Sequence, residues 1–224
     1  MHGRADGRRV RSFLRVNYAN ATRADGTGFL DAPAPSAEAQ RIYDSNVERL
    51  GFVMNLSSLW GHHPQLYFVL SELTEHSAQA AGVTARQRAV LVAACVSAMG
   101  DSYCSLAWGR RLAREAGEDV AGDVLRGDDN RLDPPERALA RWARKMTRHP
   151  SATEAKDVEP LRDAGFDDAQ IFAITAFVAA RLAFAFVNDA LGARPDAELL
   201  AITPASVRDA VTYGRPPAAE PCPA

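Results

Sequence analysis

The sequence predicts an all-α protein. Apolar residues recur at helical spacing over most of the chain, with Ser, Thr or Asp where helices would begin and Gly where they would end. Alternation of apolar and polar residues, the signal for a half-buried strand, never runs beyond four residues. No Asn-Gly or Asp-Gly pair separates two apolar strands. Together these observations favour a multihelical bundle over any fold that contains a sheet.

The first helices follow from these start and stop signals. Ser36 can cap a helix whose apolar positions are Ile42, Val47 and Leu50. Pro64 can open the next helix, because a proline in the first turn loses no helical hydrogen bond. One face of that helix is apolar and consists of Leu66, Val69, Leu70 and Leu73.

The middle of the chain predicts two helices in direct succession. Thr84 can cap the first, whose apolar run over residues 90–99 ends at Gly100. Asp101 can cap the second, which ends at Gly117. The second half predicts further helices, of which the longest runs from Asp167 to about Leu191, and the others start at Asp133, at Ser151 or Thr153, and after Pro204.

The two ends differ from the middle in composition. Residues 1–36 are rich in Gly, Arg, Asp and Ala and predict a flexible arm. Residues 214–224 are rich in proline and predict a disordered tail that contains the third cysteine. A single helical domain is expected over residues 37–213.

The composition is that of a soluble protein. Of 224 residues, 47% are hydrophobic and 24% are charged, and the net charge of −2 gives no reason to expect binding to nucleic acid or to an anionic membrane. The longest apolar stretch, residues 171–187, contains Arg181, which favours a buried helix over a membrane span. The start of the sequence lacks the apolar core of a signal peptide, and three cysteines do not form a disulfide framework, so a cytoplasmic location is expected.

Residues 100–109 contain the side chains that could take part in a reaction. As an N-cap, Asp101 can accept hydrogen bonds from the backbone of the first helical turn. Cys104 lies in that turn, where the helix dipole favours a thiolate and the charge of Asp101 opposes it. Trp108 lies four residues further on the same helical face, where its indole can wall a pocket above the sulfur.

This run resembles the signature Cys-x-Tyr-Cys-x-x-x-His of the alkylhydroperoxidase-like (AhpD-like, or carboxymuconolactone decarboxylase) family. Residues 83–88 resemble the Leu-Thr-x-Arg-Glu-Arg lead-in of that family, and residues 49–56 resemble the lead helix of its peroxidase-related branch. Further similar segments, in order and spacing, are 132–139, 164–171 and 186–192. The resemblance covers about residues 37–213. It implies an AhpD-like helical bundle that forms a homo-oligomer and acts on a small-molecule substrate.

The chain departs from the signature at three positions. Asp101 stands where the first cysteine is expected, so the disulfide of the resembled peroxidases cannot form here. Trp108 stands at the histidine position and cannot transfer a proton, and Ala89 stands at the position of the acid in the proton relay. Only Tyr103 and Cys104 remain. The resemblance therefore implies a peroxidase-related protein with a non-standard, single-cysteine site at Cys104.

Three functions are open at this point. Cys104 can act alone, through a sulfenic acid that an external thiol reduces. Alternatively, Asp101 is a base and Tyr103 a hydrogen-bond donor in a cofactor-independent lyase, decarboxylase or isomerase that acts on a small organic acid or ketone. In the third interpretation the bundle is a non-catalytic binding or scaffold protein. An accessible, acidic thiol favours the first function, a closed pocket with a raised Asp101 pKa the second, and a pocket filled by Trp108 the third.

Four residues are candidates for binding the substrate. Ser105 and Trp108 lie in the signature run, and Arg181 and Asn188 lie on the long apolar helix. A buried arginine needs a partner. For Arg181 that partner is either Asp189 or Asn188, or the carboxylate of a substrate.

Neither a metal nor an organic cofactor is expected. His62 and His63 are adjacent and point in different directions, and the other histidines lack the spacing of metal ligands. The sequence contains no Gly-rich phosphate loop.

Overall fold

A computed structural model describes residues 28–219 of the chain. Within this range there are eleven α-helices and no strand, which confirms the all-α prediction. The helices are α1 (Ala37–Leu50), α2 (Asn55–Trp60), α3 (Pro64–Ala81), α4 (Ala85–Met99), α5 (Ser102–Ala116), α6 (Glu118–Arg126), α7 (Pro134–Arg148), α8 (Ala155–Asp163), α9 (Asp168–Ala190), α10 (Ala197–Ala201) and α11 (Ala205–Arg208).

Helix α4 lies at the centre of the bundle. Its residues 89–96 are all buried, and it packs against α5, α6, α7 and α9. A helix that is apolar on every side is stable only when other elements surround it. The position of α4 places its C-terminal end, and the turn into α5, inside the protein.

The predicted caps are present at five helix starts. The side chain of each capping residue accepts a hydrogen bond from a backbone N–H in the first turn of its helix, and these residues are Ser36, Thr84, Asp101, Asp133 and Asp167. These short polar side chains satisfy donors that the helices leave free. The start signals in the sequence therefore fix the positions of α1, α4, α5, α7 and α9.

Other elements differ from the prediction. The sequence does not predict α2, α6 or α10, because each is short and none begins with a side-chain cap. Helix α8 begins after Glu154 rather than at Ser151 or Thr153. At this start the Asp157 side chain accepts the N–H of Glu154 at 2.8 Å, and the N–H of Asp157 donates to the Glu154 carbonyl at 2.9 Å.

Helix α9 is the longest element. Its length and composition would allow it to cross a membrane, and it is the one described helix of which this is true. In the protein it packs along α3 and against α4, and its fully buried side chains include Ile174, Phe177 and Val178. This packing is compatible with a soluble protein.

The apolar face predicted for α3 points largely to solvent in the single chain. Leu66, Val69 and Leu73 are each more than half exposed. Exposed apolar faces of this kind are typical of surfaces that a partner covers. The homo-oligomer implied by the family resemblance would cover such a face, and it stays a prediction.

The structure describes residues 214–219 of the proline-rich end, for which the sequence predicts disorder. In the structure these residues lie against the body: Ser102 Oγ donates to the Arg215 carbonyl at 2.7 Å, and Ala218 N donates to the Pro195 carbonyl at 2.8 Å. An extended, proline-rich segment leaves its carbonyls free to accept hydrogen bonds from the body. Residues 220–224, with Cys222, lie outside the described range.

The structure also describes part of the N-terminal arm, which the sequence predicts to be flexible. Residues 28–36 precede α1, and Phe29 N donates to the Leu191 carbonyl at 2.8 Å, so this part of the arm docks at the end of α9. Residues 1–27 lie outside the described range.

Candidate functional site

The site is built on the turn between α4 and α5. Gly100 has a φ of +87°, a left-handed conformation that a glycine adopts without strain, and it allows the chain to turn immediately after α4. The N–H groups of Gly100 and Asp101 both donate to the Val96 carbonyl at 3.0 Å. Because α4 is central, this turn buries the start of α5: residues 101–106 are all buried.

Asp101 is a fully buried helix cap with one unused oxygen. Its Oδ1 accepts the N–H of Cys104 at 3.1 Å, while its Oδ2 is buried and has no hydrogen-bond partner among the described residues. Burial raises the pKa of this carboxyl, and its contacts with Cys104 and the charge of Arg181 lower it in part. The group is therefore a more basic carboxylate than an exposed aspartate.

Cys104 is a buried thiol. It is only 4% exposed, and burial raises its pKa well above the ordinary value. The charge of Asp101 raises the pKa further, and the guanidinium of Arg181 acts in the opposite direction. The thiol is thus protonated at neutral pH. The accessible, acidic cysteine that would favour unaided redox chemistry is not present.

Tyr103 is directed towards a second buried carboxylate. Its hydroxyl donates to Oδ2 of Asp196, whose Oδ1 accepts the N–H of Asn55 at 2.7 Å. Burial raises the pKa of Tyr103, and burial also raises that of Asp196 to about 6. The hydroxyl considered as a substrate donor is therefore already engaged with Asp196.

Two of the candidate binding residues also have partners within the protein. Ser105 accepts a hydrogen bond from the hydroxyl of Tyr213 at 3.1 Å. Asn188 accepts one from the indole N–H of Trp60 at 2.9 Å. Both residues are almost fully buried, and these contacts give each of them a structural role.

The ring of Trp108 is in contact with two guanidinium groups. The Cζ of Arg181 is 4.7 Å from the centroid of its ring, and the Cζ of Arg111 is 4.9 Å away. Arg181 also lies 5.1 Å from the ring of Phe184. The sequence offered Asp189 or Asn188 as partners of Arg181, but neither side chain hydrogen-bonds to it. Guanidinium groups over indole rings are stabilised by cation–π attraction.

The structure therefore divides the predicted site residues into two groups. Asp101, Cys104, Trp108 and Arg181 form one cluster, linked by the contacts and charges described above. Tyr103, Ser105 and Asn188 face structural partners, which sequence reasoning did not find because the partners lie in distant segments.

Arg111 is the cluster member that sequence reasoning missed. It lies three residues after Trp108 on α5, and that spacing places the two side chains on one helical face. The signal is weak, because arginines are common on helix surfaces.

Elsewhere in residues 28–219 there is no comparable cluster of reactive side chains. A polar cleft lies on the surface between residues 126–130 and 137–141, remote in sequence from Cys104. No group of three or more His, Cys, Asp or Glu side chains is arranged there or elsewhere in this range as metal ligands would be.

Comparison with known proteins identifies the fold. No protein-family model and no curated protein matches the chain. A solved structure, the alkylhydroperoxidase AhpD core of an uncharacterised peroxidase-related protein from Ralstonia eutropha JMP134, is 25% identical and has a TM-score of 0.64. The match covers 77% of this chain and 94% of that one.

Two further structures have the same fold. An uncharacterised peroxidase-related protein from Silicibacter sp. TM1040 is 22% identical, with a TM-score of 0.65, and the match covers 80% of this chain and 97% of that one. The debrominase Bmp8, as a cysteine-to-alanine variant in complex with 2,3,4-tribromopyrrole, is 17% identical with the same TM-score and the same coverage. The chain therefore has the AhpD-like fold.

Proposed function

We propose that this chain is a cofactor-free, peroxidase-related enzyme in which the thiol of Cys104 reacts and the carboxylate of Asp101 takes up its proton. The observation that carries the proposal is the unused Oδ2 of Asp101, buried beside a buried thiol. A buried carboxylate oxygen without a partner is costly, so it needs a compensating role.

The carboxylate of Asp101 can act as the base that removes the proton from the Cys104 thiol, whose pKa is high. A protonated thiol is a poor nucleophile and needs an adjacent base. The raised pKa of Asp101 makes its carboxylate a stronger base than an exposed aspartate. The thiolate, once formed, lies in the first turn of α5 and near the guanidinium of Arg181, and both stabilise negative charge.

The reaction balances for an organic hydroperoxide. Asp101 accepts the proton of Cys104, and the sulfur attacks the terminal peroxide oxygen. A sulfur–oxygen bond forms, the oxygen–oxygen bond breaks, and the leaving alkoxide takes the proton from Asp101 to become an alcohol. Cys104 is left as a sulfenic acid.

The reductant must come from outside this site, because Asp101 replaces the first cysteine of the signature. A small external thiol condenses with the sulfenic acid of Cys104, releasing water and forming a mixed disulfide. A second external thiol attacks this disulfide, which restores the Cys104 thiol and releases the external disulfide.

The structural relatives support a thiol reaction. Two of them are peroxidase-related proteins, and the debrominase was solved with a cysteine replaced by alanine and 2,3,4-tribromopyrrole bound. Proteins of this fold are therefore a suitable setting for a reacting cysteine.

The test measures consumption of cumene hydroperoxide with dithiothreitol as the reductant, in a Cys222→Ser background. We expect Cys104→Ser to abolish activity, and Asp101→Asn to lower it by about 10²- to 10⁴-fold, the usual contribution of a positioned base. Asparagine still caps α5, so this variant removes the base and leaves the helix intact. The matched control is Cys95→Ala, which removes the other described thiol. Activity that survives Cys104→Ser would overturn the proposal.

One observation favours a second candidate function. The raised pKa of the buried Asp101 also suits a lyase or isomerase that moves a proton on a small organic acid, without any step at sulfur. In that case Cys104→Ser would retain activity towards the acid, and Asp101→Asn would lose it.

A further inference from the structure

Arg111 and Arg181 lie on different helices and meet at one indole. Arg111 is on α5 and Arg181 is on α9, and each guanidinium lies within 5 Å of the ring centroid of Trp108. Two positive charges are therefore held close together in a partly buried place.

Neither guanidinium is in direct contact with a carboxylate among residues 28–219, although the charges of Asp101 on Arg181 and of Glu115 on Arg111 act at longer range. No nitrogen of Arg111 or of Arg181 makes a hydrogen bond or salt bridge to a described residue, and the Nε of each is buried. The neighbouring arginines differ in this respect. Arg88 pairs with Glu75 at 2.9 Å, and Arg114 pairs with Glu115 at 3.5 Å.

A buried arginine with a structural role looks different in the same protein. Arg144 donates to both carboxylate oxygens of Asp129 and to the Val124 carbonyl, and only its Nε has no partner. Arg111 and Arg181 lack such hydrogen bonds, which indicates that their guanidinium groups do not serve to link parts of the fold in the way that Arg144 does.

The electrostatics favour an anion at this position. The charge of Arg181 is one of the causes that lower the pKa of Arg111, after burial and the charge of Arg88. Two like charges in a medium less polarisable than water repel each other, and an anion bound near them relieves that repulsion. A carboxylate suits the planar fork of a guanidinium, which donates two parallel hydrogen bonds to it.

We infer that Arg111 and Arg181 bind a carboxylate group of the substrate, so that the enzyme acts on a small organic molecule that is itself an acid. That the bound carboxylate belongs to a substrate rests on the proposed function, whereas carboxylate binding by the two arginines does not depend on it. The charge of Arg181 acts on both Asp101 and Cys104, so a carboxylate bound at Arg181 would change the electrostatic field at the reacting pair.

The experiment measures the thermal stability of the full chain with benzoate as the probe and with benzamide, its uncharged counterpart, at the same millimolar concentrations. A ligand that binds only the folded protein raises Tm in proportion to the logarithm of its concentration. We expect benzoate to raise Tm and benzamide to leave it unchanged.

Variants assign the effect to the two arginines. Arg111→Gln and Arg181→Gln should each weaken benzoate binding by about tenfold or more, equivalent to about 1.4 kcal/mol. Arg181→Lys, which keeps the charge, should retain part of the binding and covers the case in which Arg181→Gln does not fold. The matched control is Arg114→Gln, an exposed arginine of α5, which should bind benzoate as the wild type does.

Three outcomes would overturn the inference: no shift of Tm with benzoate, an equal shift with benzamide, or an unchanged shift in both glutamine variants. Cys104→Ser should bind benzoate normally. A loss of peroxidase activity in that variant with intact binding separates the two proposals, as does binding without any peroxidase activity in the wild type.

Discussion

The hydroxyl of Tyr103 donates a hydrogen bond to the buried carboxylate of Asp196, which lies 93 residues further along the chain. The other oxygen of that carboxylate accepts the N–H of Asn55, the first residue of α2. One carboxylate thus joins the starts of α2 and α10 to the first turn of α5, and holds that turn in place beneath the site.

Removing the hydroxyl should therefore destabilise the protein. Tyr103→Phe leaves Oδ2 of Asp196 buried without its donor, and we expect the free energy of unfolding to fall by about 1–3 kcal/mol. Urea denaturation measures the change. The control is Tyr67→Phe, because the Tyr67 hydroxyl has no hydrogen bond to a described residue and its removal should cost less than about 0.5 kcal/mol. Equal losses in the two variants would contradict the structural role of Tyr103.

The same carboxylate predicts a pH dependence of stability. Burial raises the pKa of Asp196 from 3.8 to about 6 in the folded protein. The folded state therefore holds this proton more tightly than the unfolded state, and the contribution to stability is fully present below pH 3.8 and is lost as the pH rises to about 6. Comparing urea midpoints of wild type and Asp196→Asn across this range isolates the effect. A difference between the two proteins that does not change with pH would argue against it.

The buried ion pair between Arg144 and Asp129 predicts a large loss on truncation. Asp129→Ala leaves the Arg144 guanidinium buried without a counterion, which should cost about 3–5 kcal/mol. The exposed pair between Arg162 and Asp168 is the control, because Asp168→Ala should cost less than about 1 kcal/mol. Denaturant unfolding of both variants gives the comparison, and similar values for the two would refute the distinction.

The burial of Cys104 predicts slow chemical labelling. In a protein with Cys95→Ala and Cys222→Ser, a thiol-specific reagent should modify Cys104 far more slowly in the folded than in the unfolded state. The rate should keep rising with pH beyond the range of an ordinary thiol, because the pKa of Cys104 is raised. Rapid labelling at neutral pH would mean that the thiol is open to solvent.

The docked end of the chain predicts a specific effect of Gly214. A Cβ atom at this position would lie 2.7 Å from the carbonyl oxygen of Gly100 and from the N atom of Ser102, and the φ of +75° is itself unfavourable for alanine. Gly214→Ala should displace the docked segment and accelerate the labelling of Cys104. Gly127→Ala is the control, because its φ of +89° carries the same strain while its Cβ would meet no atom within 4 Å. An equal labelling rate in the two variants would show that the segment does not cover the site.

The sequence could predict the helices that carry their own boundary signals. Helices α4, α5 and α9 each begin at a capping side chain that is visible in the sequence, at Thr84, Asp101 and Asp167. Helices α2, α6 and α10 depend on the packing around them, because their first turns have no side-chain cap. Local sequence contains no trace of such packing.

The same limit applies to the site. The burial of Asp101 and Cys104 could not be read from the sequence, because it results from the central position of α4 and from packing between segments that lie far apart in the chain. The partner of Tyr103 lies 93 residues away, and that of Ser105 lies 108 residues away. Pairings at this distance depend on the whole fold, whereas Trp108 and Cys104 share a helical face whatever the fold is.

The docked residues 214–219 have a consequence for the order in which the protein is made. Ser102 and its hydrogen-bond partner Arg215 are 113 residues apart, so the ribosome completes α5 long before it adds the segment that covers the start of this helix. During synthesis the first turn of α5 therefore exists before residues 214–219 are available to pack against it. The hydrogen bond between Ser102 and Arg215 can form only after the chain has been made at least to residue 215.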